Sequence, residues 1–568
     1  MAALAFWVVW CGFHTLQKVV DYYTPLPMWD YWRVVDHLND YRSFHWAVFW
    51  QQHNEHRIVF PEIVFALDML LLHGRMLLPL LLSVLSYIGT WLVLSSTLLS
   101  ELSIPAFTRV VAVLISGIVA LWEGVAGVLA IPFLLNWTLM QLAAAIALVS
   151  ASKLHSRDSG TPLAAAIAAC VVASYSSGNG LLLWPIVIVL AVVMGARRRA
   201  ILALSGAAVA TVGLYLFDFR LTDESKIRSL RTAPLYTIQY VASYLSMPFG
   251  AMKTPTFGVK LGLWLCITVL VLFVVAGVTR RLTSHPSAVL FSYFSFTLLT
   301  AILTAGGRMD SSDPRFAAAH AFRYVSVPQM NWSASILLAF SVLGGLHVIR
   351  KYLAVVAAGI ILLLWNAFPK LSPWLGGLAS FFAEQQVATL TVESGLHETR
   401  WIEAKIFPNA AFVDARLARL KQEGLSIYHG GSTQHLGRPV RAMGSVSAEA
   451  RIPGMVVGVT PVESGFEIQG WADRSGRNMP SLSLVFADES GAIVGFGRQF
   501  PGGLPAVLVS PEIPASLAWV GFVSGRSGAR VISAYVQVPG GNVLYPLGEP
   551  TKLQSAESIR ATGASGSR

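Results

Sequence analysis

Apolar runs of roughly 18 to 25 residues recur along the first two thirds of the chain, and a helix needs about 20 such residues to cross a bilayer. Runs of that length and number leave lipid as the natural solvent for most of the molecule. Composition agrees, with 54% hydrophobic and only 12% charged residues. A soluble chain carries about twice that charge. These figures exclude a cytosolic enzyme and a disordered chain. The net charge of +11 does not point to nucleic acid, because the basic residues stand in short clusters beside the apolar runs, where they act as an orientation signal. Cys11, Cys170 and Cys266 lie within apolar stretches and spell neither a metal quartet nor a disulfide framework. Residues 1–20 lack a basic leader and a small-residue cleavage site, so they read as a retained first helix.

About eleven spans are expected, centred near residues 10, 87, 113, 139, 168, 188, 209, 268, 296, 340 and 360. If they alternate from a cytoplasmic N-terminus, the clusters Lys153/Arg157, Arg197/Arg198/Arg199, Arg280/Arg281 and Arg350/Lys351 all fall on the cytoplasmic side. The external connections are then the loop 21–75, Trp122-Glu123, residues 176–180, 218–257 and 306–330, and everything after about residue 368. Nearly every conspicuous polar residue lies in these segments. This places a membrane domain at 1–368 and amphipathic interfacial helices at 369–430. Short runs of β-forming residues separated by Gly, Pro, Asp and Ser follow at 431–552, the pattern of an external β-sandwich-like domain or small barrel. A Ser-, Gly- and Ala-rich disordered tail is expected at 553–568. The fold class is thus a mainly α, polytopic membrane protein with a C-terminal β-rich domain outside the bilayer.

The first external loop is dense in proton-transfer groups. It carries Asp21, Asp30 between Trp29 and Tyr31, Asp36, and then Gln52-His53-Asn54-Glu55-His56-Arg57. An aspartate held among aromatics near lipid loses solvation, which raises its pKa toward that of a useful base. An alternative for Asp30 is the N-cap of a helix starting at Tyr31. Asp30 and Glu55 are the candidate catalytic carboxylates, with His53, His56 and Arg57 as substrate-binding neighbours. His53, Glu55 and His56 also suit a divalent ion chemically, although their spacing matches no helical zinc motif. In the later loop, Arg308 and Arg323, with Tyr324, form a candidate clamp for a lipid phosphate, since the guanidinium fork binds phosphate bidentately. Glu123 and Asn179, in short turns between spans, are further substrate-binding candidates. No Gly-x-Ser-x-Gly elbow, Walker loop or dinucleotide fingerprint occurs.

Trp29-Asp30-x-Trp32, the Gln52–Arg57 segment and Gly307-Arg308 with Arg323-Tyr324, set in many spans with a long first external loop and an external C-terminal domain, resemble the GT-C class of integral membrane glycosyltransferases. The resemblance covers about two thirds of the chain and is architectural more than motif-exact. It implies an inverting glycosyltransferase in a bacterial inner membrane. Its donor would be a sugar on a polyprenyl phosphate or diphosphate, and its acceptor a cell-surface glycan or glycolipid at the periplasmic face. Nucleic acid is not an expected partner, and no cofactor is assigned beyond leaving a divalent cation open. Many members of that class carry two adjacent acidic residues where Asp30 stands alone, which leaves Asp21, Asp36 or Glu55 as sharers of the base role. The C-terminal domain would be accessory, with Trp471 and Trp519 either meeting the acceptor or packing in its core. The alternatives are a transporter or flippase for a lipid-linked saccharide, which calls for charges in mid-span, and a non-catalytic polysaccharide assembly protein.

Overall fold

The computed structural model describes residues 1–155, 160–220, 233–252, 254–309, 312–313, 316–344, 346, 352–448, 450–473, 482–500, 517–537 and 542–553. The chain divides into two compact units. The first comprises Met1–Val20, Asn39–Leu67 and Leu77–Leu375, and the second Asp21–Leu38, Asp68–Met76 and Gly376–Arg568.

Among the described residues, eight helices are long and apolar enough to cross a membrane: Ala2–Tyr22, Leu77–Leu99, Ala106–Leu129, Pro132–Ala151, Arg198–Leu216, Pro255–Val278, His285–Arg308 and Ala354–Glu393. The other three expected spans exist as helices but differ in kind. Two are the shorter Gly160–Ser174 and Gly178–Val193. The third, Ser326–Gly344, carries Gln329, Asn331 and several serines, and its polar groups face the interior of the bundle. The expected loop 21–75 is itself largely folded, with a hairpin and the helix Val59–Leu71 inside it.

Without water to drive apolar burial, helices in lipid are held by close packing and by polar pairs between them. Both are present in the first unit. Ser83 and Thr138 hydroxyls meet at 3.1 Å, Ser287 and Ser341 at 2.9 Å, and Thr297 donates to Asn331 Oδ1 at 2.8 Å. The buried Gln329 amide donates to the carbonyls of Val119, Ala120 and Trp122, which satisfies the open C-terminal end of Ala106–Ala120. Gly262 lets Pro255–Val278 lie against Pro234–Leu245, since a Cβ there would fall 1.8 Å from the Ala242 carbonyl oxygen.

The two ends of this unit differ chemically. His285, at the start of His285–Arg308, interacts electrostatically with Lys153, His155 and Glu101. Arg308, at the other end of the same helix, faces Glu55. Twenty-four residues rising 1.5 Å each separate these ends by about 36 Å, comparable to a bilayer with its interfaces. Charges remain outside the helix centres at the basic end: Glu101 bonds Ser103, and Arg109 donates to the Leu99 carbonyl.

In the second unit eight strands form one mixed sheet: β3 (Ser445–Val446), β4 (Gly454–Val462), β5 (Gly465–Ala472), β6 (Ser483–Ala487), β7 (Ile493–Gln499), β8 (Ala518–Ser524), β9 (Val531–Gln537) and β10 (Val543–Lys552). The two preceding strands, β1 (Gln52–His53) and β2 (His56–Arg57), belong to the hairpin in the first unit. The order is β3-β10-β9-β6-β7-β8-β5-β4, with only β3 and β10 parallel. A bridge between Ile452, just before β4, and Leu547 in β10 brings the two ends of the sheet together. The domain is therefore a single curled sheet, nearer to the small barrel than to the two stacked sheets of a sandwich, both of which the sequence pattern allows. Ile468, Leu484, Phe486, Trp519, Val523 and Val536 fill its interior. Trp519 is fully buried there and is a core residue, while Trp471 is half-buried in β5. In the same unit the amphipathic helix Ala410–Glu423 starts at Asn409, whose side chain accepts the Phe412 N–H, and stops at Gly424 in the left-handed region. The expected tail beyond residue 553 lies outside the described residues.

Candidate functional site

The segment singled out in the first loop folds as a hairpin. β1 (Gln52–His53) and β2 (His56–Arg57) pair antiparallel, with His53 opposite His56 and a two-residue turn between them. Asn54 takes φ of 48°, a left-handed conformation that asparagine tolerates better than most residues. Arg57 anchors the hairpin to the end of the helix Arg198–Leu216. It is 3% exposed, its Nε donates to the Tyr215 carbonyl at 2.8 Å, and its two terminal nitrogens donate to the carbonyls of Trp50 and Phe217. Its guanidinium also lies 5.2 Å from the Trp50 ring centroid. Arg57 was a candidate anion ligand, and in the structure these donors serve the scaffold.

His56 is fixed in one tautomer. The Gly178 N–H donates to its Nδ1 at 3.1 Å, so that nitrogen carries no proton and the neutral ring keeps its proton on Nε2. Burial in the surrounding protein lowers its pKa to about 4, against the opposing pull of Glu55 and with help from His53 and Arg308. Position 178 must be glycine for this contact, because a Cβ would fall 2.8 Å from His56 Nδ1 and 3.0 Å from the Tyr215 hydroxyl. Asn179 is buried in the same turn, Gly178–Leu182. His53 is buried against the Phe133 ring, and its Nε2 lies 3.2 Å from the Asn54 amide.

Glu55, at the turn, stands 4.0 Å from Arg308, a distance of attraction without a hydrogen bond, and both side chains remain partly exposed. Arg308 and Arg323 both act electrostatically on Tyr240. The Tyr240 hydroxyl is buried and has no hydrogen-bond partner among the described residues. Arg323 lies 5.1 Å from the ring of Tyr324, which packs edge-on against Trp137. One end of the first unit therefore gathers a carboxylate, a neutral histidine, two arginines and an unsatisfied hydroxyl. These groups can accept a proton, donate to an oxygen and neutralise an anion.

Of the remaining candidates, some belong to the second unit and one to another cavity of the first. Asp30 belongs to the second unit, in the short turn Trp29–Tyr31 that follows Met28, with its side chain exposed; the cap of the next helix is Tyr31. Asp36, also in the second unit, is paired with Arg416 at 2.6 Å. Glu123 lines a separate cavity of about 410 Å³ with Trp7, Trp10, His14, Trp122 and Trp365. Asp310 and Arg315, which share the later polar loop with Arg308 and Arg323 in the sequence, lie outside the described residues. Among the described residues no group of three or more His, Cys, Asp or Glu is placed to hold a metal ion.

Comparison with protein-family models, with curated proteins and with solved structures returns no match. The site therefore has to be read from its own chemistry. Sequence reasoning passed over Tyr215, Gly178 and Tyr240. Only the glycine in Ser176–Gly180 offered a signal, as a small residue in a polar turn between two apolar runs. It also passed over Glu62, a buried carboxylate that accepts the Tyr41 hydroxyl at 2.6 Å inside the segment read as loop.

Proposed function

We propose that the protein is a membrane glycosyltransferase that moves a sugar from a polyprenyl phosphate or diphosphate to a glycan or glycolipid at the periplasmic face of a bacterial inner membrane. The observation that carries this reading is the placement of Glu55 against Arg308, with Arg323 near the same buried tyrosine, at the end of the bundle opposite the basic turns. Basic turns mark a cytoplasmic side, which supports an external position for the hairpin at the opposite end. In the reaction, Glu55 takes the proton of the acceptor hydroxyl and the freed oxygen attacks the anomeric carbon. The bond to the phosphate oxygen breaks, and its electron pair leaves with the lipid phosphate. Arg308 and Arg323 offset the charge that develops there. Attack opposite the departing group inverts the anomeric centre.

The test is transfer in membranes from a panel of undecaprenyl- and decaprenyl-phosphate hexoses and pentoses. The parent is expected to transfer from at least one donor. Glu55→Gln should lose about a hundredfold or more, the scale of general-base removal, and Arg308→Ala a comparable factor. Asp30→Asn should leave most of the activity. Full activity in Glu55→Gln together with loss in Asp30→Asn would move the base to Asp30. Transfer by the parent from no donor would remove the transferase reading.

A further inference from the structure

Beside the hairpin lies a cleft of about 600 Å³ lined by Trp46, Trp50, Gln51, Gln52, Asp218 and Arg220 along with hairpin residues. One wall is aromatic. Trp46 is 67% exposed, and its ring centroid lies 6.4 Å from that of Trp50 at an angle of 53°, so the two indoles present a bent apolar surface. Trp50 is held in place by Tyr175, at 5.3 Å between centroids, and by the Arg57 guanidinium. The other wall is polar and pinned to the first: the Gln52 amide donates to the Arg220 carbonyl at 2.6 Å and its oxygen accepts the Arg220 N–H at 2.9 Å. Asp218 takes φ of 53°, and its carboxylate lies 3.8 Å from the Arg220 guanidinium, with both side chains well exposed.

We infer that this cleft is a binding site for a neutral saccharide. A pyranose offers an apolar C–H face and a rim of hydroxyls, which fits an aromatic platform edged by amides, a carboxylate and a guanidinium. The alternative occupant, a phospholipid headgroup, needs a cation free for its phosphate. Here Arg57 gives its donors to backbone carbonyls, and Arg220 stands beside the Asp218 carboxylate, which repels an anion. The cleft shares Asn54 and Arg57 with the hairpin that carries Glu55. Its occupant would be the glycan acceptor, and this use alone rests on the transferase reading.

The experiment measures binding without donor, on the full chain carrying Glu55→Gln, purified in an amine-oxide detergent because a maltoside headgroup would itself compete. Maltotriose, cellotriose, mannotriose and chitotriose are titrated while tryptophan fluorescence and saturation-transfer signals of the sugar are followed. At least one is expected to bind with a Kd on the order of millimolar. Trp46→Ala, at an exposed position where folding is kept, should weaken it at least tenfold, and Arg220→Ala should weaken it severalfold. Binding by none of the four, or binding unchanged in Trp46→Ala, overturns the inference. So does quenching of Trp46 by brominated phospholipid in nanodiscs without any response to sugar, which would make the pair of indoles a lipid anchor. Saccharide binding by a chain that transfers from no donor would retain this site while removing the transferase; transfer by a parent that binds none of the four would do the reverse.

Discussion

Protonation of His56 is the perturbation whose consequence follows most directly from the geometry. In the folded hairpin its Nδ1 accepts the Gly178 N–H and burial lowers its pKa to about 4, whereas an opened, solvated ring titrates at the ordinary 6.5. Between these values the opened state binds a proton that the closed state refuses, so closure is favoured as pH rises and weakened as pH falls. The full contribution is present above pH 6.5 and is withdrawn progressively toward pH 4. At about 1.4 kcal/mol for each tenfold change, the loss amounts to about 3 kcal/mol, or on the order of a hundredfold in the population of the open hairpin. Hydrogen exchange of peptides covering residues 50–57 and 176–182, corrected for the intrinsic pH dependence, reads this population directly. His56→Asn is the control, because its Oδ1 can take the place of Nδ1 as acceptor for Gly178 and cannot titrate. The parent should lose protection between pH 6.5 and 4 while His56→Asn stays flat. The same pH dependence in the two chains, or a parent His56 resonance that titrates near 6.5, would refute this coupling.

Two further outcomes are expected. Arg57→Ala removes the donor set that joins three backbone carbonyls and should cost about 3 to 5 kcal/mol, and Arg57→Lys should restore little of it because one ammonium lacks the fork. Thermal unfolding in detergent checks this, and two variants as stable as the parent would refute the anchoring role. Gly178→Ala forces a methyl group against His56 and Tyr215 and should destabilise by about 1 to 3 kcal/mol. It should also shift Glu55, so sugar transfer should fall; a variant with parental stability and parental transfer would show that the close approach is not required.

Much of the helical part was legible because long apolar runs show in the sequence as the length and hydropathy a bilayer asks of a span. The structure departs from the sequence expectation where a segment's character depends on its neighbours. Ser326–Gly344 keeps its polar side chains because the bundle interior gives them partners, as Gln329 shows at the end of Ala106–Ala120. Val59–Leu71 falls within the expected loop 21–75, and Glu62 and Asp68 interrupt its apolar run. In the structure Tyr41 takes Glu62, and the Asp68 carboxylate accepts the Met76 N–H at 2.7 Å. The β-rich texture after residue 430 identified strands correctly but could not tell two stacked sheets from one curled sheet. That choice is made by the Ile452–Leu547 bridge and by the packing around Trp519.

The same division holds at the site. Residue type marked Asp30, Glu55, His53, His56, Arg57, Arg308 and Arg323 together, because acids, imidazoles and guanidinium groups are few in such a chain and collect in its polar loops; Asp30 belongs to the second unit and the others to the first. Their separate roles are a matter of tertiary structure. Arg57 differs from Arg308 only in what surrounds it, since one guanidinium meets backbone carbonyls at a helix end and the other a carboxylate at a turn. His56 becomes a neutral donor because a glycine 122 positions later brings a backbone N–H to its ring. Local sequence determined which groups were available and that most of the chain would form apolar helices, eight of them among the described residues long enough to cross a membrane. Long-range packing decided which of those groups are occupied by the scaffold, because hydrogen-bond partners and lost solvation are supplied by distant segments.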